Sequence, residues 1–297
     1  MDWRVEFDAE VRFSNGGSLR SEGFRLDIAG ADISDAALGE LFVEHLGLLM
    51  VDTVTVTNKR LLNEPHKGSR GVTFESTSRK LVELSHVVRD GMITYPGLPA
   101  PKISDYLTRE DSRKKYAPGT EFHMGRITLV SNTGTYLDTP FHRYANGADL
   151  ADIPVGAVAD LEGVVVRLTG SDLRAIDRTA IAAHSVTGRA VLIHTGWDQH
   201  WGTEQYFNDH PHLTEHAAEW LVDQRPALVG IDSLNIDGTA NGTRPAHTAL
   251  LAAGIPIVEH LRGLSQLPPH GFRFHAAPVA IAGMGTFPVR AYAVIGG

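Results

Sequence analysis

Cysteine is absent from the 297 residues. That excludes a disulfide scaffold, a thiolate nucleophile, an iron–sulfur cluster and any zinc site built on sulfur. A basic surplus is absent too. Lys and Arg number 27 against 35 Asp and Glu, a net charge of -8, and the longest basic cluster is Arg113-Lys114-Lys115. No nucleic-acid partner is expected from that balance. No stretch approaches the roughly 18 apolar residues of a membrane span. The densest apolar region, Leu41 to Val51, is broken by Glu44 and His45. The opening Met1-Asp2-Trp3-Arg4-Val5-Glu6 lacks the apolar core of an export signal, so a cytoplasmic protein without a membrane partner is expected. Gly-x-Ser-x-Gly and His-Glu-x-x-His are both missing, which leaves serine-hydrolase and zincin readings without support. Gly283-Met284-Gly285 lacks the third glycine and following helix of a nucleotide loop.

What is present is ordinary globular composition, 42% hydrophobic and 21% charged, long enough for one large domain or two smaller ones. The first part reads as a unit of its own. Val5, Phe7, Ala9, Val11 and Phe13 alternate with polar residues at the period of a half-buried strand. Asn15-Gly16-Gly17 signals a tight turn, and Leu19 to Ile28 a returning strand. Ser34 is placed to cap a helix carrying Leu38, Leu41, Phe42 and His45, and Thr53 to Thr57 forms another strand. The expectation is a small ββαβ accessory unit with its linker over residues 1–75, the linker spanning Glu64 to Ser78, and an α/β domain over 76–297. In that second part short apolar strands (Arg126–Val130, Gly163–Leu168, Ala190–His194, Ala227–Ile231) alternate with Gly/Pro/Asp loops. Helices are expected at Thr179–Ala183, after Thr214 as N-cap, and near Ala246–Ala253.

Fifteen histidines make convergence the central question. His210, His212 and His216 form the densest group, but Thr214 explains them as a loop entering a helix cap better than a metal site does. The stronger segment is Ser131-Asn132-Thr133-Gly134-Thr135-Tyr136-Leu137-Asp138-Thr139-Pro140-Phe141-His142. It follows a strand, Gly134 permits a tight path, and Asn132, Tyr136, Asp138 and His142 share one face if the chain stays extended. A hydrogen-bonded surface loop accounts for the same residues equally well.

This segment resembles the His-x-Gly-Thr-His-x-Asp-x-Pro-x-His signature of the cyclase family that contains kynurenine formamidase and isatin hydrolase. Further landmarks resemble the family in order: Leu84-Ser85-His86, Tyr95-Pro96-Gly97, His194-Thr195-Gly196-Trp197, His210-Pro211, Gly230-Ile231-Asp232-Ser233, Pro245-Ala246-His247, Ile257-Val258-Glu259-His260-Leu261, Ala277-Pro278 and Pro288-Val289-Arg290-Ala291. The resemblance covers residues 81 to 297 and implies a swivelling β/β/α fold, a small-molecule substrate and a homo-oligomer. In the family the first His, second His and Asp of the signature bind a divalent metal. Here those places hold Asn132, Tyr136 and Asp138. Asn is a weak ligand, and a phenol with a free pKa of about 10 binds metal poorly until deprotonated. The resemblance leaves Asp138, His247 and Glu259 as a ligand set for one zinc or manganese, if a metal is retained at all.

Three readings follow. The first is an enzyme with a changed, metal-independent acid–base site, using Tyr136, Asp138, His142, His247 and Glu259 for cyclisation, dehydration or ring opening of a small cyclic, aromatic or polyketide-like substrate. Here His247–Glu259 is the base, His142 the acid, and Tyr136 a hydrogen-bond donor to a developing oxyanion. The second is a metal-dependent amide or lactam hydrolase of the kynurenine formamidase type. The third is a non-catalytic protein that binds a small ligand. Asn132, Tyr144 and Trp197 are the expected substrate contacts.

Overall fold

The computed structural model describes residues 2–28, 30–64, 79–170 and 173–296. The chain divides into two compact units, Met1–Glu75 and Ser76–Gly297. Residues 65–78, most of the expected linker, lie outside the described residues. No helix among the described residues is long and apolar enough to cross a membrane.

The first unit is built from β1 (Asp2–Phe13), β2 (Ser18–Ile28), α1 (Asp35–Leu46) and β3 (Val51–Glu64). Its antiparallel sheet runs β2-β1-β3. Alternation decides its two faces: Val5, Phe7, Ala9 and Val11 are buried, and Leu38 and Phe42 of α1 complete that core. Phe7, Phe24 and Phe42 meet edge to face, with centroids 4.9 to 5.9 Å apart. Arg25 and Arg60 both pair with Glu6, whose neighbours in the strand are buried on the opposite face. Ser34 caps α1 by accepting from the Ala37 amide, and Gly47 ends it at φ 61°.

In the second unit, β4 (Lys80–Glu83), β5 (Lys102–Leu107), α2 (Arg109–Ser112), β6 (Met124–Thr128) and β7 (Tyr136–Asp138) come first. They are followed by β8 (Leu161–Arg167), β9 (Ala175–Ile176), β10 (Ala190–His194), β11 (His212–Leu213), α3 (Glu215–Gln224) and β12 (Leu228–Ile231). The chain closes with α4 (Pro245–Ala252), β13 (Ile257–Glu259), β14 (His270–His275), β15 (Thr286–Pro288) and β16 (Tyr292–Ile295). Nine strands form one mixed sheet, β15-β7-β13-β12-β10-β8-β14-β16-β4. Its centre, β8, β10, β12 and β13, is parallel, and the flanks are antiparallel. The central strands are continuously apolar because both faces are covered. Val164, Val166, Val191, Ile193, Val229 and Ile231 meet Ala217, Ala218 and Leu221 of α3 and Leu250 and Leu251 of α4. Val165, Leu192, Leu228 and Val258 point into the other core with Leu137, Phe272 and Phe274. This is the α/β class expected.

Local expectations fare unevenly. Thr214 does cap α3, accepting from the Ala217 amide. The helix expected at Thr179–Ala183 is a single 3₁₀ turn, Arg178–Ala180. The extended path expected through His142 ends at Asp138, where Pro140 opens a 3₁₀ turn, Pro140–His142. Two glycines press on that turn. A Cβ on Gly285 would lie 2.2 Å from the His142 backbone nitrogen, and one on Gly147 would lie 2.6 Å from the Pro140 carbonyl carbon.

Candidate active site

Strand register assembles the site. In the β7–β13 pair Tyr136 lies opposite Glu259, and in the β7–β15 pair Asp138 lies opposite Thr286. Tyr136 and Asp138 are two residues apart, so both cross-strand pairs fall on one face of the sheet. Leu137 between them enters the apolar core on the other face. The two pairs form the two ends of a polar floor. A cavity of about 940 Å³ opens beside it, lined among others by Tyr95, Asn132, Tyr136, His142, Asn235, His247 and Glu259, with Asp138 and Thr286 buried outside the lining.

At one end Glu259 is wholly buried and fully engaged. Its Oε1 accepts from the Ile236 amide at 2.6 Å. Its Oε2 accepts from Tyr136 Oη at 2.5 Å and from Asn235 Nδ2 at 3.3 Å. Tyr95 Oη lies 2.9 Å from Tyr136 Oη and 2.6 Å from the Leu234 carbonyl oxygen. Burial pushes the Tyr136 phenol well above its usual range, and the charge of Glu259 pushes it further. It is therefore a neutral donor, and its one proton goes to Glu259. That differs from the oxyanion role expected for Tyr136, because a hydroxyl has only one proton to donate. Glu259 is also the less open carboxylate, since each of its oxygens already accepts a hydrogen bond.

At the other end Asp138 is equally buried, but only one oxygen is bonded. Its Oδ1 accepts from the Thr286 hydroxyl. Its Oδ2 has no hydrogen-bond partner. Thr286 Oγ1 also lies 2.7 Å from His142 Nδ1. A carboxylate only accepts, so the single hydroxyl proton goes to Asp138 and His142 Nδ1 must donate. The lone pair of a neutral His142 is thereby fixed on Nε2. His247 is arranged in the same way. Asp237, which sequence reasoning missed, accepts from the Ala246 and His247 amides at the start of α4 and from His247 Nδ1 at 2.7 Å. His247 Nε2 is left 3.6 Å from Asp138 Oδ2 and 3.7 Å from Glu259 Oε1, distances of electrostatic contact rather than hydrogen bonding. Burial alone would lower the His247 pKa; the charge of Glu259, then Asp138 and Asp237, outweighs it and lifts it to about 10. Burial likewise pushes Glu259 up, to about 7.

Asp138, His142 and His247 each offer one ligand atom, all within 4.8 Å of one another. Two imidazole nitrogens and a carboxylate oxygen are a zinc-type donor set. The bond from His247 Nδ1 to Asp237 is the outer-shell partner that such a ligand usually has. An unpartnered buried carboxylate oxygen aimed at this group fits a cation. This cluster shares Asp138 and His247 with the expected set and has His142 where that set has Glu259.

The other expected contacts separate. Asn132 lines the cavity. Tyr144 is not among the lining residues; its hydroxyl donates to the Thr248 carbonyl at 2.8 Å. Trp197 lies away from the cavity in a buried cluster with Tyr206 and Leu234, its indole N–H donating to the Tyr206 carbonyl. His210 is buried and bonded to Ser233 and Thr239 through its two ring nitrogens. Among the described residues His210, His212 and His216 form no ligand cluster.

The Cyclase family model matches residues 82–238. Kynurenine formamidase of Bordetella avium is 27% identical over 214 residues, which are 72% of this chain and 97% of that protein. Kynurenine formamidase of Geobacillus thermodenitrificans is 29% identical over 198 residues, 66% of this chain and 90% of that protein. Among solved structures, one described as a potential metal-dependent hydrolase with cyclase activity superposes with a TM-score of 0.61 at 26% identity, covering 74% of this chain and 99% of the other. Isatin hydrolase A from Ralstonia solanacearum shares the fold, with a TM-score of 0.62 at 22% identity over 74% of this chain and 93% of its own. The family-model match, the mixed sheet and these relatives agree: the chain is an enzyme of the cyclase family.

Proposed function

We propose that the protein hydrolyses the C–N bond of a small amide or lactam at the Asp138–His142–His247 end of the cavity. The observation that carries this reading is the unpartnered Oδ2 of Asp138, 3.6 Å from His247 Nε2, in a cluster that His142 completes. Water held against that oxygen gives up a proton to it and adds through its own oxygen to the carbonyl carbon. The C–N bond then breaks as the proton taken up by Asp138 passes to the departing nitrogen, which restores the carboxylate. Asp237 keeps the His247 ring oriented throughout. One divalent ion held by Asp138, His142 and His247 would supply a lowered water pKa and a polarised carbonyl. The kynurenine formamidases among the relatives support the same reaction class.

A second reading is acid–base chemistry without a metal, such as cyclisation or dehydration. It is favoured by one observation: carboxylates on three sides lift His247 to about 10, so the imidazolium could itself balance the buried charge. Elemental mass spectrometry on protein purified without added metal or chelator separates the two. The hydrolase reading expects about one zinc or manganese per chain, lost in His247→Ala, with amide hydrolysis abolished by chelation. Metal-free protein that takes up none on titration overturns it in favour of the second.

A further inference from the structure

Arg143 follows His142 and lines the same cavity. Its Nε donates to Thr248 Oγ1 at 3.4 Å, and its guanidinium carbon sits 5.6 Å from the centre of the Tyr144 ring. Tyr144 is itself pinned to the Thr248 carbonyl. Arg143 follows His142 and Thr248 follows His247, and all four line the cavity. Its two terminal amino groups are uncommitted: among the described residues no carboxylate pairs with Arg143, although Glu215 and Glu219 line the same cavity. Arg244, the other arginine of the lining, differs. Its Nη1 is bonded to the carbonyls of Gly238, Asn241 and Thr243 and holds that loop.

We propose that the substrate carries a carboxylate, held by the terminal amino groups of Arg143 while the bond to be cleaved lies at Asp138, His142 and His247. This rests on the hydrolase reading and names its substrate class. A guanidinium anchored at Nε presents two parallel donors that match the two oxygens of one carboxylate. The need for such a clamp is electrostatic. Glu215, Glu219 and Glu259 line the cavity and repel anions, so an anionic substrate needs a cation in the same lining. One guanidinium balances a carboxylate; a phosphate dianion in a cavity also lined by Glu215 and Glu219 would need more.

The test compares formanilide with 2-formamidobenzoate, which differ by one carboxylate. The full-length enzyme should prefer the carboxylate by about tenfold or more in kcat/KM, the scale of one charge-assisted pair. Arg143→Gln should reduce that preference by about tenfold, mainly through KM. Arg143→Lys, which keeps the charge but not the fork, should fall between. The preference should also weaken as salt rises. An equal rate on both substrates, or a preference untouched by Arg143→Gln, overturns the proposal. Calorimetric titration with phthalate needs no turnover and tests the anion site separately. Binding weakened about tenfold by Arg143→Gln supports it, and no binding or no change overturns it. If neither formamide is cleaved while phthalate binding depends on Arg143, the hydrolase reading fails and the anion site stands.

Discussion

The two ends of the cavity floor hold carboxylates that are equally buried and differently treated. Glu259 receives donors on both oxygens, from a backbone amide, a phenol and a carboxamide. Asp138 receives one hydroxyl and keeps Oδ2 bare. A buried acceptor without a donor costs stability. Proteins tolerate that cost where something else binds. The donor-filled end reads as architecture, and the proposed chemistry falls at the bare end.

The comparison breaks most directly at Asp138. Asp138→Asn should lower kcat for amide hydrolysis by about a thousandfold or more, since it removes the base and a ligand oxygen together. Its melting temperature should hold, because the Thr286 hydroxyl can still donate to the amide oxygen. Activity retained within tenfold would show that the bare oxygen is not the reacting one. Glu259→Gln should do the reverse to stability. An amide nitrogen would face the Ile236 amide or the Tyr136 hydroxyl, at a cost of about 2 kcal/mol in chemical denaturation. The same variant carries a pH signature. The Glu259 pKa is raised from the ordinary carboxylate range to about 7 in the fold, so its stabilising share is complete below about pH 4.5 and is lost as pH rises through 7. The difference in stability between native protein and Glu259→Gln should therefore shrink from pH 5 to pH 8. Tyr136→Phe should have the smallest effect, about 1 kcal/mol in stability and less than tenfold in kcat, because its proton serves Glu259 rather than the substrate. A loss of a hundredfold would restore the oxyanion role.

Much of this was legible locally. The alternation of Val5 to Val11, the cap at Thr214 and the continuous apolar runs of β8, β10 and β12 depend on neighbours in sequence. So did the shared face of Tyr136 and Asp138. What they face was not legible. Glu259 is 123 residues from Tyr136 and Thr286 is 148 from Asp138, and strand register alone brings them together. Asp237 left a faint trace, an acid ahead of the Pro245-Ala246-His247 helix start, but only the fold bends the loop back so that it caps α4. Trp197 and Tyr144 misled for a related reason. An aromatic near a signature residue in sequence can turn its ring into a separate core, as Trp197 does, or serve as a brace, as Tyr144 does.

The crowding of Gly285 and Gly147 against the Pro140–His142 turn has a consequence for anyone who would retarget the enzyme. Neither site can accept even a methyl group without moving the backbone of His142 or Pro140, so random libraries there should return glycine alone. The opposite wall is built differently. Glu215, Glu219 and Thr243 line the same space with exposed side chains. Substrate range is therefore evolvable from the α3 side and frozen from the turn side, and a directed-evolution campaign should spend its diversity accordingly.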